Sequence, residues 1–158
     1  MYFDCIHIGD VRSIRCNNIT PETRTGKDGK SQDQYITLEC PMRNKSDENW
    51  RVVSLCLQNG TLNAAANRLY YAVFQAVLGY AKAKQGYIYD PNVSAHSKMW
   101  QYVAADKGGY SYRRVFTKLM VLRKTADYEP ETPTEKNIKS LMGDSGSMRQ
   151  YFLKLAES

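Results

Sequence analysis

The pattern of apolar and polar positions is strongest between Leu62 and Lys84, where it predicts a long helix. This segment has no proline and only one glycine, Gly79, and it is rich in alanine and leucine, which favour helix. An aromatic stripe that includes Tyr70 and Phe74 flanks a wider apolar stripe, so we expect the helix to be covered on more than one side. The apolar stripe repeats at helical spacing through Leu62, Ala65, Ala66, Leu69, Val73, Ala76, Val77 and Tyr80.

Two shorter helices are predicted on either side of this central helix. The first is amphipathic, can be capped by Ser46 or Asp47, and ends at Asn59-Gly60. It leads into the central helix with hardly any linker. The second restarts near Ser94, after Asp90-Pro91 has taken the chain out of the helical pattern.

A fourth helix is predicted over residues 111–126. Its apolar side chains face the core and its arginine and lysine residues lie opposite. The segment from Asp127 to Pro133 is expected to interrupt the helical pattern.

The last helix has three start signals. Thr132 can be its N-cap, Pro133 suits the first helical position, and Glu135 completes a capping box. Gly143 and Gly146 weaken the middle of the helix by about 1 kcal/mol each relative to alanine, which leaves room for a kink there.

The first 45 residues have a different pattern. Two stretches of β-branched residues in partial alternation, one in 2–16 and one in 34–40, predict strands, and a polar loop separates them. Pro41 is expected to end the second strand. The predicted fold is therefore mainly α: an antiparallel up-and-down bundle of four or five helices over residues 46–158, with a small N-terminal β-hairpin over residues 1–45, in one compact domain.

Composition places the chain among globular proteins. Its 158 residues suit one domain, and no apolar run approaches the roughly 20 residues needed to cross a bilayer. We expect no signal peptide, and the four cysteines include no closely spaced pair. We therefore expect a cytoplasmic protein with reduced thiols, with neither a membrane partner nor a metal site.

The formal charge of +6 is concentrated in one segment. Between Val93 and Thr125 seven bases stand against one acid, Asp106, and the rest of the chain is neutral. Such a basic segment favours a polyanionic partner, either nucleic acid or a nucleotide. The alternative is a solvated face that an acidic partner chain balances. The seven bases are Lys98, Lys107, Arg113, Arg114, Lys118, Arg123 and Lys124.

Three short motifs occur in order along the helical part. Residues Arg68 to Phe74 read RLYYAVF, His96-Ser97 opens a helix, and Arg123 to Tyr128 read RKTADY. Together these motifs resemble those of the HEPN family, named after a nucleotide-binding domain of higher eukaryotes and prokaryotes. The resemblance covers roughly residues 47–157, and the first 45 residues have no counterpart in it.

The resemblance implies an up-and-down helical bundle that is commonly dimeric. It also implies a link to nucleotides or RNA, since the family includes companion chains of small nucleotidyltransferases, toxins that cleave RNA and ribonucleases of antiviral systems. In the nuclease members an arginine and a histidine, four to six residues apart, meet their symmetry mates across the dimer. The arginine stabilises the phosphate that is cleaved, and the imidazole transfers the proton.

This chain departs from the nuclease pattern. Its only histidines are His7 and His96, and neither follows an arginine at that interval. Asp127 and Tyr128, which follow Arg123, are a poor base and a poor acid near neutral pH. There is also no glycine-rich phosphate loop, metal-ligand cluster or nucleophile elbow. We therefore expect a protein without a cofactor and, on balance, not an enzyme.

If catalysis occurs, the candidate residues are Arg123, Asp127, Tyr128 and His96. Each also has a structural interpretation. Arg123 and Asp127 can form an ion pair within one helix, or Asp127 can hold Arg123 against a phosphate. Tyr128 can pack on or bond to the bundle, and His96 can cap its helix or bond a neighbouring carbonyl.

The candidate ligand-binding residues are all basic. Arg68 can form a buried salt bridge or an anion site on the central helix. Arg113, Arg114 and Lys118 lie on the helix best suited to nonspecific contact with a polyanion, and Arg123 lies near its end. The aromatic residues of the central helix serve core and dimer packing or, alternatively, a base-stacking platform.

The preferred hypothesis is a non-catalytic HEPN-like homodimer that binds nucleotide or RNA, or that serves as partner to a nucleotidyltransferase. The second hypothesis is a ribonuclease toxin or defence nuclease with an altered active site. The third is a structural module whose N-terminal hairpin binds another protein.

Overall fold

Five α-helices make up most of residues 41–158, the part of the chain that the computed structural model describes. The predicted hairpin lies outside the described residues except for its last five, and so do three of the four cysteines. The described part is mainly α, as predicted, and contains no strand. Its elements are α1 (Pro41–Gln58), α2 (Leu62–Lys84), α3 (Ala95–Ala105), a short 3-10 helix (Gly109–Tyr112), α4 (Arg113–Tyr128) and α5 (Glu135–Glu157).

Helix α2 occupies the centre of this part and has the predicted bounds. It contacts each of the other four α-helices. Twelve of its residues are buried, and half of these are alanine or glycine, which lets the neighbouring backbones come close. At Gly79, for example, an added Cβ would lie 3.2 Å from Cβ of Met42 in α1. The prediction that this helix is covered on several sides is confirmed.

Helix α1 begins earlier than the sequence indicated. Pro41 is its first residue rather than the end of a strand, because proline has no N–H group to leave unpaired at a helix start. Residues 41–45 therefore belong to the helical part. Ser46 is not a cap: it is buried, and its hydroxyl donates to the carbonyl of Ala72 in α2 at 2.6 Å. The predicted end is confirmed, since α1 stops at Gln58 and Gly60 has a φ of 66°.

Helix α4 also differs from the prediction at both ends. The 3-10 helix precedes it, and it runs two residues beyond the predicted end to Tyr128. Asp127 and Tyr128 are thus helical. This matters for the site, because a helical Asp127 lies one turn from Arg123 on the same side of α4.

Helix α5 begins with a cap other than the predicted one. Thr134, not Thr132, is the N-cap: its backbone is extended and its hydroxyl accepts from the N–H of Asn137 at 3.2 Å. Glu135 forms no capping box and instead pairs with Lys139 at 2.6 Å. The helix then continues without interruption through both of its central glycines to Glu157.

A carboxylate on the loop after α3 ties three parts of the fold together. Asp106 accepts hydrogen bonds from Tyr151 of α5 at 2.6 Å, from the N–H of Gly109 at 2.6 Å and from Tyr80 of α2 at 3.2 Å. Burial works to raise the pKa of Asp106, but these hydrogen bonds outweigh it and hold that pKa below its usual value. Gly109 is buried beside Phe152, which leaves no room for a side chain.

None of the helices in the described part is both long and apolar enough to cross a membrane.

Two glycine-to-alanine substitutions are expected to act in opposite directions. A Cβ at Gly143 meets nothing within 4 Å, so Gly143→Ala should raise the free energy of unfolding by roughly 0.5–1 kcal/mol through better helix propensity. At Gly109 a Cβ would lie 2.8 Å from Phe152, so Gly109→Ala should lower the free energy of unfolding by about 1–3 kcal/mol. Urea unfolding of both variants measures the changes, and two changes of the same sign would contradict this packing.

Candidate functional site

Two predicted site residues that are far apart in sequence meet in the fold. Ser94 is the N-cap of α3, which places His96 in the first turn of that helix. Nη1 of Arg123 in α4 lies 3.2 Å from Nε2 of His96. The prediction that His96 caps its helix or bonds a carbonyl was therefore wrong, because its ring nitrogens bond two side chains instead.

The hydrogen bonds of His96 define its protonation. Because a guanidinium can only donate, Nε2 of His96 must accept from Arg123, and the ring proton then belongs on Nδ1. Nδ1 lies 2.6 Å from the hydroxyl oxygen of Tyr70, which accepts the hydrogen bond that Nδ1 donates. Burial lowers the pKa of His96, and the positive charge of Arg123 lowers it further, while Asp127 partly opposes the shift. The imidazole is therefore neutral near pH 7.

Arg123 is held from a second direction by Asp127. Its Nε lies 3.0 Å from Oδ2 of Asp127, which confirms the predicted ion pair one turn apart. This Nε is buried and satisfies the geometry of no hydrogen bond, so the contact is electrostatic. Asn67 of α2 donates to Oδ1 of Asp127 at 2.7 Å. The guanidinium also lies 5.6 Å and 5.5 Å from the ring centres of Tyr70 and Tyr71.

This cluster, formed by Asn67, Tyr70, His96, Arg123 and Asp127, joins α2, α3 and α4. Tyr70 is fully buried, and burial raises the pKa of its hydroxyl, so it remains a neutral phenol. Both nitrogens of His96 are engaged within the cluster. A general base or acid needs a ring nitrogen within reach of the reacting atom, whereas here one nitrogen of His96 bonds Arg123 and the other bonds Tyr70.

Tyr128 and Arg68 do not join the cluster. The side chain of Tyr128 is 70% exposed, so the prediction that it packs on the helices was wrong. Arg68 is also exposed and forms no buried salt bridge; its Nη1 donates to Oδ1 of Asn49 in α1 at 3.1 Å. Arg68 lines an open groove of about 450 Å³ between α1 and α2, where Glu48 offsets part of the positive charge.

The remaining basic candidates lie on α4. Arg113 is tied back, since its guanidinium stacks 3.7 Å from the ring centre of Tyr110 and donates to the carbonyl of the same residue at 2.8 Å. Arg114 and Lys118 are exposed and form no ion pair with any described residue. The outward side of α4, which we call the cationic face, consists of Arg114, Thr117, Lys118, Val121, Lys124 and Tyr128; Asp127, the one acidic residue of α4, is also exposed but pairs with Arg123.

An aromatic residue that sequence reasoning assigned only to a short helix lies beside this face. Trp100 of α3 donates from Nε1 to the hydroxyl of Thr117 at 3.0 Å, and 38% of its surface is exposed. No local pattern could have found this contact, because it joins two helices. Lys124 pairs with Glu129 at 3.4 Å, so its charge is partly offset.

The five predicted ligand-binding residues therefore do not form one site. Arg114 and Lys118 share the cationic face, Arg123 belongs to the cluster, and Arg68 and Arg113 are engaged elsewhere. Within residues 41–158 no group of three or more histidine, cysteine or acidic side chains could hold a metal ion. Comparisons with protein-family models, with curated proteins and with solved structures found no match to this chain.

The cluster predicts a pH dependence of stability. The pKa of His96 in the folded protein lies below the usual 6.5, so the unfolded chain binds the proton more readily. Stability from this residue is therefore present above about pH 6.5 and is lost as the pH falls through the folded-state pKa. We expect His96→Gln to lose less stability than the wild type between about pH 7.5 and about pH 5 in urea unfolding. Equal losses in the two proteins would contradict the neutral, Arg123-bonded imidazole.

Proposed function

We propose that this chain is a non-catalytic, HEPN-like helical protein that binds RNA through the cationic face of α4. The observation that carries the proposal is the pair Arg114 and Lys118, exposed, one turn apart and without a carboxylate partner among the described residues. Exposed cations without a carboxylate partner attract phosphates by releasing the counterions that surround a nucleic acid.

The surroundings of this pair favour RNA over a small anion. The cationic face extends over more than three helical turns, from Arg114 to Tyr128, which suits a chain of phosphates rather than one. Trp100 exposes aromatic surface beside Thr117, next to Lys118, and Tyr128 exposes a second ring at the far end of the face. Proteins that bind single strands without reading sequence combine the same two features, a basic track and aromatic rings on which bases stack.

The cluster around Arg123 supports the non-catalytic part of the proposal. Family nucleases place a free imidazole beside an arginine, whereas here the imidazole of His96 accepts from Arg123 and donates to buried Tyr70. To give up its proton this histidine would have to break its bond to Tyr70, and to take up a proton it would have to break its bond from Arg123. In this proposal the cluster fixes α4 against α2 and α3, so that the cationic face stays in place.

The proposal includes the up-and-down antiparallel arrangement of the family. Contacts of α2 with α1, α4 and α5 support it, as does the short connection between α1 and α2. The homodimer, nucleotide binding and the nucleotidyltransferase partner that the resemblance implies stay predictions.

Removing the two unpaired charges should weaken RNA binding. If Arg114→Gln with Lys118→Gln removes two phosphate contacts, the slope of log affinity against log salt should fall by about 1.4, and affinity near 0.1 M salt by about 25-fold. Fluorescence anisotropy with a labelled single-stranded RNA at several salt concentrations measures both quantities.

The matched control is Lys136→Gln with Lys154→Gln, which removes the same charge from exposed positions of α5. It should bind RNA nearly as tightly as the wild type. Equal weakening by both double variants would show that only net charge matters, and no binding by the wild type would reject the RNA proposal.

Structured RNA should remain intact when it is incubated with the wild type and a chelator. In the wild type the imidazole near Arg123 is engaged by the protein. Arg123→Ala should also leave the RNA intact, because it lacks the guanidinium that would stabilise a cleaved phosphate. Gel electrophoresis of the labelled RNA over several hours tests this. Cleavage by the wild type but not by Arg123→Ala would overturn the non-catalytic proposal, and the variant controls for contaminating nuclease.

A further inference from the structure

A groove runs between α4 and α5 directly beside the cationic face. It has a volume of about 370 Å³, near the lower end for small-molecule sites, so it has room for one compact group. Lys118 and Val121 belong both to the cationic face and to the wall of this groove. An RNA strand that lies along the cationic face at Lys118 and Val121 therefore also lies at the edge of the groove.

The inner wall of the groove is apolar. Pro133 and Leu122 are buried, and Leu141 is half-buried beside them. A phosphate placed against these side chains would lose its hydration without gaining partners, which is costly. A flat, weakly polar group such as a nucleobase would instead bury its own apolar surface and that of the groove wall.

The rim of the groove offers polar groups that have no partner. The side-chain amide of Asn137 and the hydroxyl of Thr125 make no hydrogen bond to any described residue. An amide presents a donor and an acceptor side by side, which matches the edge of a base. In a duplex the Watson–Crick edge of each base is already paired. The polar groups of the rim can therefore bond this edge only in an unpaired base.

We infer that the groove between α4 and α5 holds one unpaired nucleobase of the RNA strand whose phosphates lie on the cationic face. Lys118 then contacts the phosphate next to the captured base, and the Asn137 amide bonds the edge of the base. The inference rests on the proposed RNA binding and adds to it a preference for single strands. Stacking or burial of one base changes affinity by about tenfold in typical single-strand binders.

The test fills the groove without changing any charge. Ser140 lies on the α5 side of the groove and is exposed, so Ser140→Trp places an indole where the base would lie. Ser147→Trp is the matched control, because Ser147 is equally exposed on α5 but stands about 10 Å farther along the helix. Circular dichroism and thermal unfolding verify that both variants fold like the wild type.

The probes are a labelled single-stranded 12-mer RNA and the duplex of the same RNA with its complement. The wild type should bind the single strand about tenfold more tightly than the duplex. Ser140→Trp should lose that preference and keep the salt slope of the wild type, while Ser147→Trp should behave like the wild type. Asn137→Ala should also reduce the preference, without filling the groove.

Equal affinity of the wild type for both RNAs, or an unchanged preference in Ser140→Trp, would overturn the groove inference and leave the proposed RNA binding intact. Absence of salt-dependent binding to either RNA would instead reject the proposed function as well. A labelled glutamate 12-mer that the wild type binds and Ser140→Trp does not would assign the groove to an acidic peptide, which also overturns the inference.

Discussion

The burial of α2 is the constraint on which the rest of the described structure depends. Its neighbours approach closely because small residues such as Ala72, Ala76 and Gly79 lie at the contacts, and they leave it largely dehydrated. A helix with so little polar surface is stable only when its neighbours remove it from water. The placement of α1, α3, α4 and α5 around α2 follows from that requirement. The polar clusters of the described part lie where two or more helices meet.

Two polar clusters fix the outer helices more specifically than apolar contact can. Arg149 of α5 is buried, donates to Ser46 at 2.8 Å and pairs with Asp47, which joins α5 to α1. On the other side His96 and Arg123 join α3 to α4. Buried polar groups are costly when unpaired, so each cluster favours one arrangement of its helices over slightly shifted ones. Arg123 can therefore be structural without losing its charge.

Helix α4 has different chemistry on its two sides, so its basic residues have two different environments. Arg123 points toward α2 and α3, where Asp127 and the aromatic rings surround it. Arg114 and Lys118 point away from the core and have no carboxylate partner in the described part of the chain. Helical periodicity separates the two sets, since residues nine or five positions apart fall on different sides. The basic segment of the sequence therefore does not form one site around Arg123, since Arg114 and Lys118 lie on another side of α4.

Hydrophobic periodicity predicted the mainly α fold and the bounds of α2, while the Asn59-Gly60 stop signal predicted the end of α1 and the four-residue spacing predicted the pairing of Arg123 with Asp127; all of these depend on local sequence. Local signals misplaced the start of α1 and the cap of α5, since competing cap residues stand close together and tertiary contacts engage Ser46 instead. Only the tertiary structure brought His96 to Arg123. The two residues are 27 positions apart on separate helices, and packing against α2, which no local pattern encodes, decides that they meet.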